Sequence, residues 1–192
     1  MNALQGALSR IGRDLDDLGH PWALVGALAV AAHTEARATL DVDVAVAVDG
    51  PADSAALVTA LRGCGYGWQA DFGSAMTSLT VPGDGTPAGL RLDLLFALAG
   101  IEAEVARGAE RLTIVSGLVL PVAQRGDLIA LKLLAAGEPG REHDWRDVRA
   151  LVAGADARDL ERARASIALL VSRGAVPAGR LEGELARVSG GR

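Results

Sequence analysis

At 192 residues the chain is long enough to bury a core of its own; half of it is hydrophobic (50%) but only 3% aromatic, so Ala, Val and Leu build that core. A net charge of −5 excludes the strongly basic footprint of a dedicated nucleic-acid binder, and the single cysteine, Cys64, excludes an internal disulfide framework. No charge-free run reaches the roughly 20 residues needed to span a bilayer, and the amino terminus has no apolar signal core, so a soluble cytoplasmic protein is expected.

In chain order, Leu4, Leu8, Ile11, Leu15 and Leu18 recur at steps of four and three and predict an amphipathic helix, stopped by Gly19-His20-Pro21. A short apolar strand then ends at Val25. A turn at Gly26-Ala27 and an alanine-rich helical turn follow, and then a second strand. In that strand Leu40, Val42, Val44, Val46 and Val48 alternate with Asp41, Asp43, Ala45 and Ala47. Asp49-Gly50-Pro51 is turn chemistry, Ala52 to Arg62 reads as a helix, and Cys64 is expected to pack there as a small hydrophobe. Strand-like runs at about 67–71 and 76–82 lead to the hairpin signal Pro82 to Pro87, and the strand Leu90 to Phe96 carries Asp93 among apolar neighbours. Glu102 to Glu110 reads as a short helix, and Leu112 to Val115 with Leu118 to Val122 as a hairpin around Ser116-Gly117.

From Arg125 the pattern becomes helical. Asp127 stands where an N-cap belongs, before a helix that Gly137 and Pro139-Gly140 end. Trp145, Val148 and Val152 mark another helix, which Asp144 is placed to cap. Leu160, Ala163, Ile167 and Leu170 mark a third, and the tail after Pro177 reads as a weak, fraying helix. The expected organisation is an α/β portion over 1–124 with a helical portion over 125–192 packed on it. Charge divides similarly: residues 1–140 hold 9 basic and 16 acidic groups, residues 141–192 hold 10 and 8.

Period-two alternation puts Asp41 and Asp43 on one face of their strand and the valines on the other. Two carboxylates so close repel unless a cation sits between them, and in a buried strand an unpaired pair is costly. The strand end therefore opens into a solvated cleft, or the pair holds a metal. Lys132 is the only lysine beside 18 arginines, in a helix of nearly all apolar neighbours. It either snorkels to solvent or extends its ammonium into a cleft. The histidines lack metal-ligand spacing, and neither a Walker loop nor a nucleophile elbow is present.

Gly26-Ala27, thirteen residues, and then Asp41-Val42-Asp43 on the next strand resemble the nucleotidyltransferase superfamily signature. Arg37-Ala38-Thr39-Leu40-Asp41-Val42-Asp43, Arg91-Leu92-Asp93, Asp127 to Lys132 and Arg141 to Asp144 are similar to motifs of its AbiEii-type toxin branch. The resemblance implies an α/β fold, a mixed sheet flanked by helices with a carboxy-terminal helical bundle. It further implies transfer of a nucleoside monophosphate from a nucleoside triphosphate to an acceptor hydroxyl, with Mg²⁺ or Mn²⁺ as cofactor. Asp41 and Asp43 would bridge two metal ions, and Asp93 would bind the ion nearest the acceptor and help deprotonate it. Gly26 and Ala27 would bring backbone N–H groups to phosphate, with Arg37, Lys132 and Asp144 also in the nucleotide site. Lys132→Ala is expected to weaken triphosphate binding and leave the fold intact. A tRNA end, a protein hydroxyl or a small molecule are each open as acceptor, and an antitoxin is an expected partner. Ala27 departs from the family's second Gly or Ser, which removes one phosphate contact. It favours the rival reading of a catalytically weak binding or regulatory module.

Overall fold

A computed structural model describes residues 3–34, 41–83, 89–97, 99–115 and 117–190. Arg37, with Thr39 and Leu40, lies outside the described residues, as do most of the Pro82 to Pro87 loop and Ser116. The amino-terminal helix α1 (Ala3–Leu18) presents Leu8, Ile11 and Leu15 to the core, all essentially without solvent contact. Strand β1 (Trp22–Leu24) follows, then helix α2 (Gly26–His33), strand β2 (Asp41–Val46) and helix α3 (Pro51–Gly63). Strands β3 (Gly67–Phe72), β4 (Met76–Val81) and β5 (Leu90–Leu95) come next, then helix α4 (Glu102–Arg107) and the hairpin β6 (Glu110–Val115) and β7 (Leu118–Val122). Glu110, expected to end the α4 helix, instead opens β6, because Gly108 closes the helix.

These strands form one mixed seven-stranded sheet in the order β3-β4-β5-β2-β1-β7-β6. The pairs β2–β5 and β1–β7 are parallel and the others antiparallel. Val42, Val44 and Val46 are fully buried on one face of β2, so alternation is decisive here: the same strand must turn its aspartates to the other face.

Four helices complete the chain: α5 (Arg125–Ala136), α6 (Glu142–Ala153), α7 (Ala157–Ser172) and α8 (Arg180–Ser189). Neither expected aspartate cap forms. Gln124 occupies the N-cap of α5 and Arg141 that of α6. Asp127 lies in the first turn and buried, where it accepts hydrogen bonds from Arg162 Nε (2.8 Å) and Ser166 Oγ (2.6 Å) of α7. Because the helix starts at Arg125, Asp127 falls at its third residue and its carboxylate meets a cation across the helix interface instead. Asp156 does cap α7, through a capping box with Asp159. The last helix is better anchored than its composition suggests, with Leu181 and Leu185 buried. Cys64 is exposed at the C-cap of α3 rather than packed, since that helix turns Leu57 and Leu61 inward and ends at the surface.

Arg125 is an anchor that periodicity does not reveal. Its guanidinium donates to the carbonyls of His33 (3.0 Å) and Leu151 (3.2 Å), at the carboxy-terminal ends of α2 and α6, where a cation also suits the helix dipoles. Behind it, α5 and α7 approach closely at Gly126. A Cβ there would lie 2.4 Å from the Asp159 carbonyl oxygen and 2.8 Å from the Ala163 nitrogen. Both are backbone atoms, so Gly126→Ala should force the helices apart and cost about 1–3 kcal/mol. Equilibrium urea unfolding of the two proteins measures that difference; an unchanged midpoint would show the interface yields freely.

Candidate active site

Strand β2 runs parallel to β5 with Asp41 opposite Arg91 and Asp43 opposite Asp93. In-register neighbours share a face, so Asp41, Asp43 and Asp93 stand side by side, with Ser78 of β4 next in line opposite Asp93. Asp41 is exposed, Asp43 half-buried and Asp93 buried. Burial, and then the charges of Asp93 and Asp41, push the Asp43 carboxyl up to about 6, against the opposing pull of Lys132 and Arg91.

Gly26 is pressed directly onto this group. The Val25 N–H donates to the Asp43 carbonyl (2.9 Å), and Gly26 follows with a left-handed φ of +61°. A Cβ at Gly26 would sit 1.9 Å from Asp43 Oδ2, so only glycine allows helix α2 to begin here. The N-cap residue Val25 offers no side-chain hydrogen bond. Ala27 is buried in the first turn, and the helix directs its leading N–H groups and dipole to the edge of the carboxylate face.

Lys132 comes from α5 on the other flank. Its ammonium donates to Asp144 Oδ1 (2.7 Å) and lies 2.8 Å from Asp147 Oδ2, two carboxylates of α6 that are both buried. Its side chain is only 12% exposed, and its charge reaches Asp43, so it is not a snorkelling surface residue. Asp144 also accepts from Arg141 Nε (2.6 Å), with His143 at 3.3 Å. Although burial opposes it, the hydrogen bond and charge of Lys132, helped by Arg141 and His143, hold the Asp144 carboxyl below its ordinary value. The structure thus brings together Gly26, Ala27, Asp41, Asp43 and Asp93. It places Lys132 within electrostatic reach of them and sets Asp144 behind Lys132.

Asp93 has its own partners. Arg91 grips it bidentately, Nε to Oδ1 at 2.9 Å and a terminal nitrogen to Oδ2 at 2.6 Å, and Ser78 Oγ donates to Oδ1 at 2.6 Å. Among the described residues no three His, Cys, Asp or Glu side chains stand ready to hold a metal ion. The chemistry of the donors nonetheless suits a hard divalent cation: oxygen ligands only, with one carboxyl raised by burial and by its acidic neighbours. Two clefts of about 550 Å³ lie elsewhere. One, lined by α3 residues with Trp68, Asp71 and Thr77, is on the opposite sheet face, since Thr77 alternates with Ser78. The other gathers charged residues of α7 with Glu110 and Gln124.

The chain matches, over residues 7–189, the family described as nucleotidyl transferase AbiEii toxin of type IV toxin–antitoxin systems. It belongs to the AbiEii nucleotidyltransferase family. The fold agrees. An antigenic nucleotidyltransferase-like protein from Paracoccidioides brasiliensis superposes with a TM-score of 0.59 at 18% identity, covering 93% of this chain and 92% of its own. The antibiotic-resistance factor ANT(2'')-Ia gives 0.58 at 18% identity, covering 91% and 95%. The lincosamide antibiotic adenylyltransferase LnuA, in a lincomycin-bound structure, gives 0.51 at 14% identity, covering 81% and 100%. No curated protein matches the chain. As a member of this family the protein is a nucleotidyltransferase, and no helix among its described residues is long and apolar enough to cross a membrane.

Sequence reasoning passed over Asp147, Ser78 and the grip of Arg91. Asp147 had a signal: it lies three residues beyond Asp144, on the same helix face. Ser78 had none, because only strand pairing brings it to Asp93.

The raised Asp43 carboxyl fixes a pH dependence. The folded protein keeps that proton up to about pH 6, whereas the unfolded chain releases it near 3.8. Between those values the native state binds more protons, so stability falls as pH rises through the window and stays lower above it. Asp43→Asn removes this penalty. In metal-free buffer the variant should match wild type near pH 4 and exceed it by roughly 1–3 kcal/mol above pH 7. Thermal melts across that range check it; a variant less stable than wild type at pH 7 would mean that Asp43 is a structural hydrogen-bond acceptor.

Proposed function

We propose that this face carries out metal-dependent nucleotidyl transfer, with Asp41, Asp43 and Asp93 as its acidic residues. The observation that supports it most is the register of β2 on β5, which lines up the three carboxylates beside a glycine that admits no side chain. Asp41 and Asp43 would hold Mg²⁺ or Mn²⁺, and Asp93 would join them nearest the acceptor. Such ions supply charge neutralisation at the attacking and leaving oxygens. The acceptor hydroxyl attacks the α-phosphorus of a nucleoside triphosphate, the bond to the β-phosphate oxygen breaks, and pyrophosphate leaves. Asp93 takes the hydroxyl proton.

Helix α2 offers its first N–H groups, at Gly26 and Ala27, to the phosphates, so Ala27 keeps the backbone donors even without a hydroxyl. Lys132 neutralises triphosphate charge, with Asp144 and Asp147 fixing its position, and Arg37 completes the phosphate contacts. In this reading the helical portion over 125–192 supplies Lys132 to a site built by the α/β portion over 1–124. The acidic balance of the first 140 residues weighs against a large nucleic acid as acceptor. The arginines after residue 140 weigh for one, so tRNA, protein and small-molecule hydroxyls all enter the test. An antitoxin is the regulatory partner that the family suggests.

Calorimetric titration with each of the four common triphosphates, with Mg²⁺ or Mn²⁺, comes first, followed by transfer of α-phosphate label to tRNA, protein and small-molecule acceptors. A bound triphosphate at 100 times its Kd should stabilise the wild type by about 2.7 kcal/mol. Asp43→Asn should gain little and transfer no label. No binding of any triphosphate would overturn the reading. Lys132→Ala is a poor probe: it takes the ammonium away from two buried carboxylates and should cost about 3–5 kcal/mol. Lys132→Arg keeps the charge and should retain the fold while weakening triphosphate affinity several-fold in the same titration.

A further inference from the structure

We propose that Arg91 is a positioning residue that guards Asp93, filling the place of a cation until a metal ion displaces it. The proposal rests on the metal-dependent reading above and goes beyond it, since it assigns a task to a side chain outside the acidic set.

The geometry is specific. Both oxygens of Asp93 lie in the guanidinium fork, and Oδ1 takes a further hydrogen bond from Ser78. Each carboxylate oxygen has two lone pairs. Oδ1 has spent both, and Oδ2 has given one to Arg91. The oxygen arrangement a cation would share with Asp41 and Asp43 is therefore committed to Arg91. This accounts for a face that carries three neighbouring acidic positions and yet, among the described residues, no ready metal-binding group. The charges of Asp93, Asp41 and Asp43 all act on Arg91, so its guanidinium answers the whole acidic face and not a single partner.

Exposure decides which member of the pair moves. The Arg91 side chain is 46% exposed and the Asp93 side chain 7%. Arg91 regains water when it swings out, whereas Asp93 is held by Ser78 and its strand, and the cost is the buried carboxylate left behind, which an incoming cation offsets. A bidentate charge-assisted contact is strong and specific, so free metal must compete with it. In the metal-free protein the same contact spares a buried carboxylate from standing unpaired.

Direct titration with Mn²⁺ alone, following the free-ion electron paramagnetic resonance signal, tests this on the full chain without any turnover. Arg91→Met removes the fork and keeps much of the bulk; it should tighten Mn²⁺ binding by about tenfold. Arg91→Lys keeps the charge without the fork and should tighten it less. Circular dichroism checks the fold of each, and Arg91→Gln replaces Arg91→Met under the same criterion if that variant does not fold. Mn²⁺ affinity that is unchanged or weaker in the folded fork-less variant overturns the guard, as does tightening in Arg91→Met with none in Arg91→Lys, which loss of charge alone would give. Mn²⁺ that binds wild type and variant equally leaves the metal reading standing and removes only the guard. Absence of binding in every variant removes both.

Discussion

Everything at the candidate site depends on the contact between Gly26 and Asp43. The helix α2 begins where a strand ends, with its first residue in a left-handed conformation and no room for a Cβ against the carboxylate. That proximity sets the free N–H groups of a helix beside an acidic strand face, which juxtaposes anion-binding and cation-binding elements. Neither element alone would suggest transfer chemistry. Together they would suit the metal-bound triphosphate proposed above.

Lys132 extends the same constraint to the helical part of the chain. Two buried carboxylates of α6 hold an ammonium of α5 in place, so the rotamer freedom of the lysine is already lost on folding and offset by these contacts. Arg125 and the Asp127–Arg162–Ser166 cluster join the same helices to α2 and to α7. The charged residues of this region are therefore spent largely on one another. That explains how an arginine-rich segment reads as a balanced surface rather than a basic patch.

The three carboxylates differ by their surroundings more than by their chemistry. Asp41 is exposed, Asp43 is raised by burial and like charge, and Asp93 is gripped by Arg91 and Ser78. Such separation of environment would let identical side chains take different roles in the proposed reaction.

Local periodicity made much of this legible. The alternation of Leu40 to Val48 told which face the aspartates take, Gly26 marked a strand-to-helix turn, and the spacing of Leu4 to Leu18 predicted α1. What the sequence by itself determined is the order of elements and the side of each element on which a residue stands, because both follow from backbone periods of two and 3.6 residues. Only the tertiary structure decided the partner of each charge. Asp127 and Asp144 leave the helix caps their positions suggest for Arg162 and Lys132, and Asp93 meets Ser78 from another strand. A buried charge takes the strongest donor within reach, and which donors are in reach is set by segments far apart in the chain.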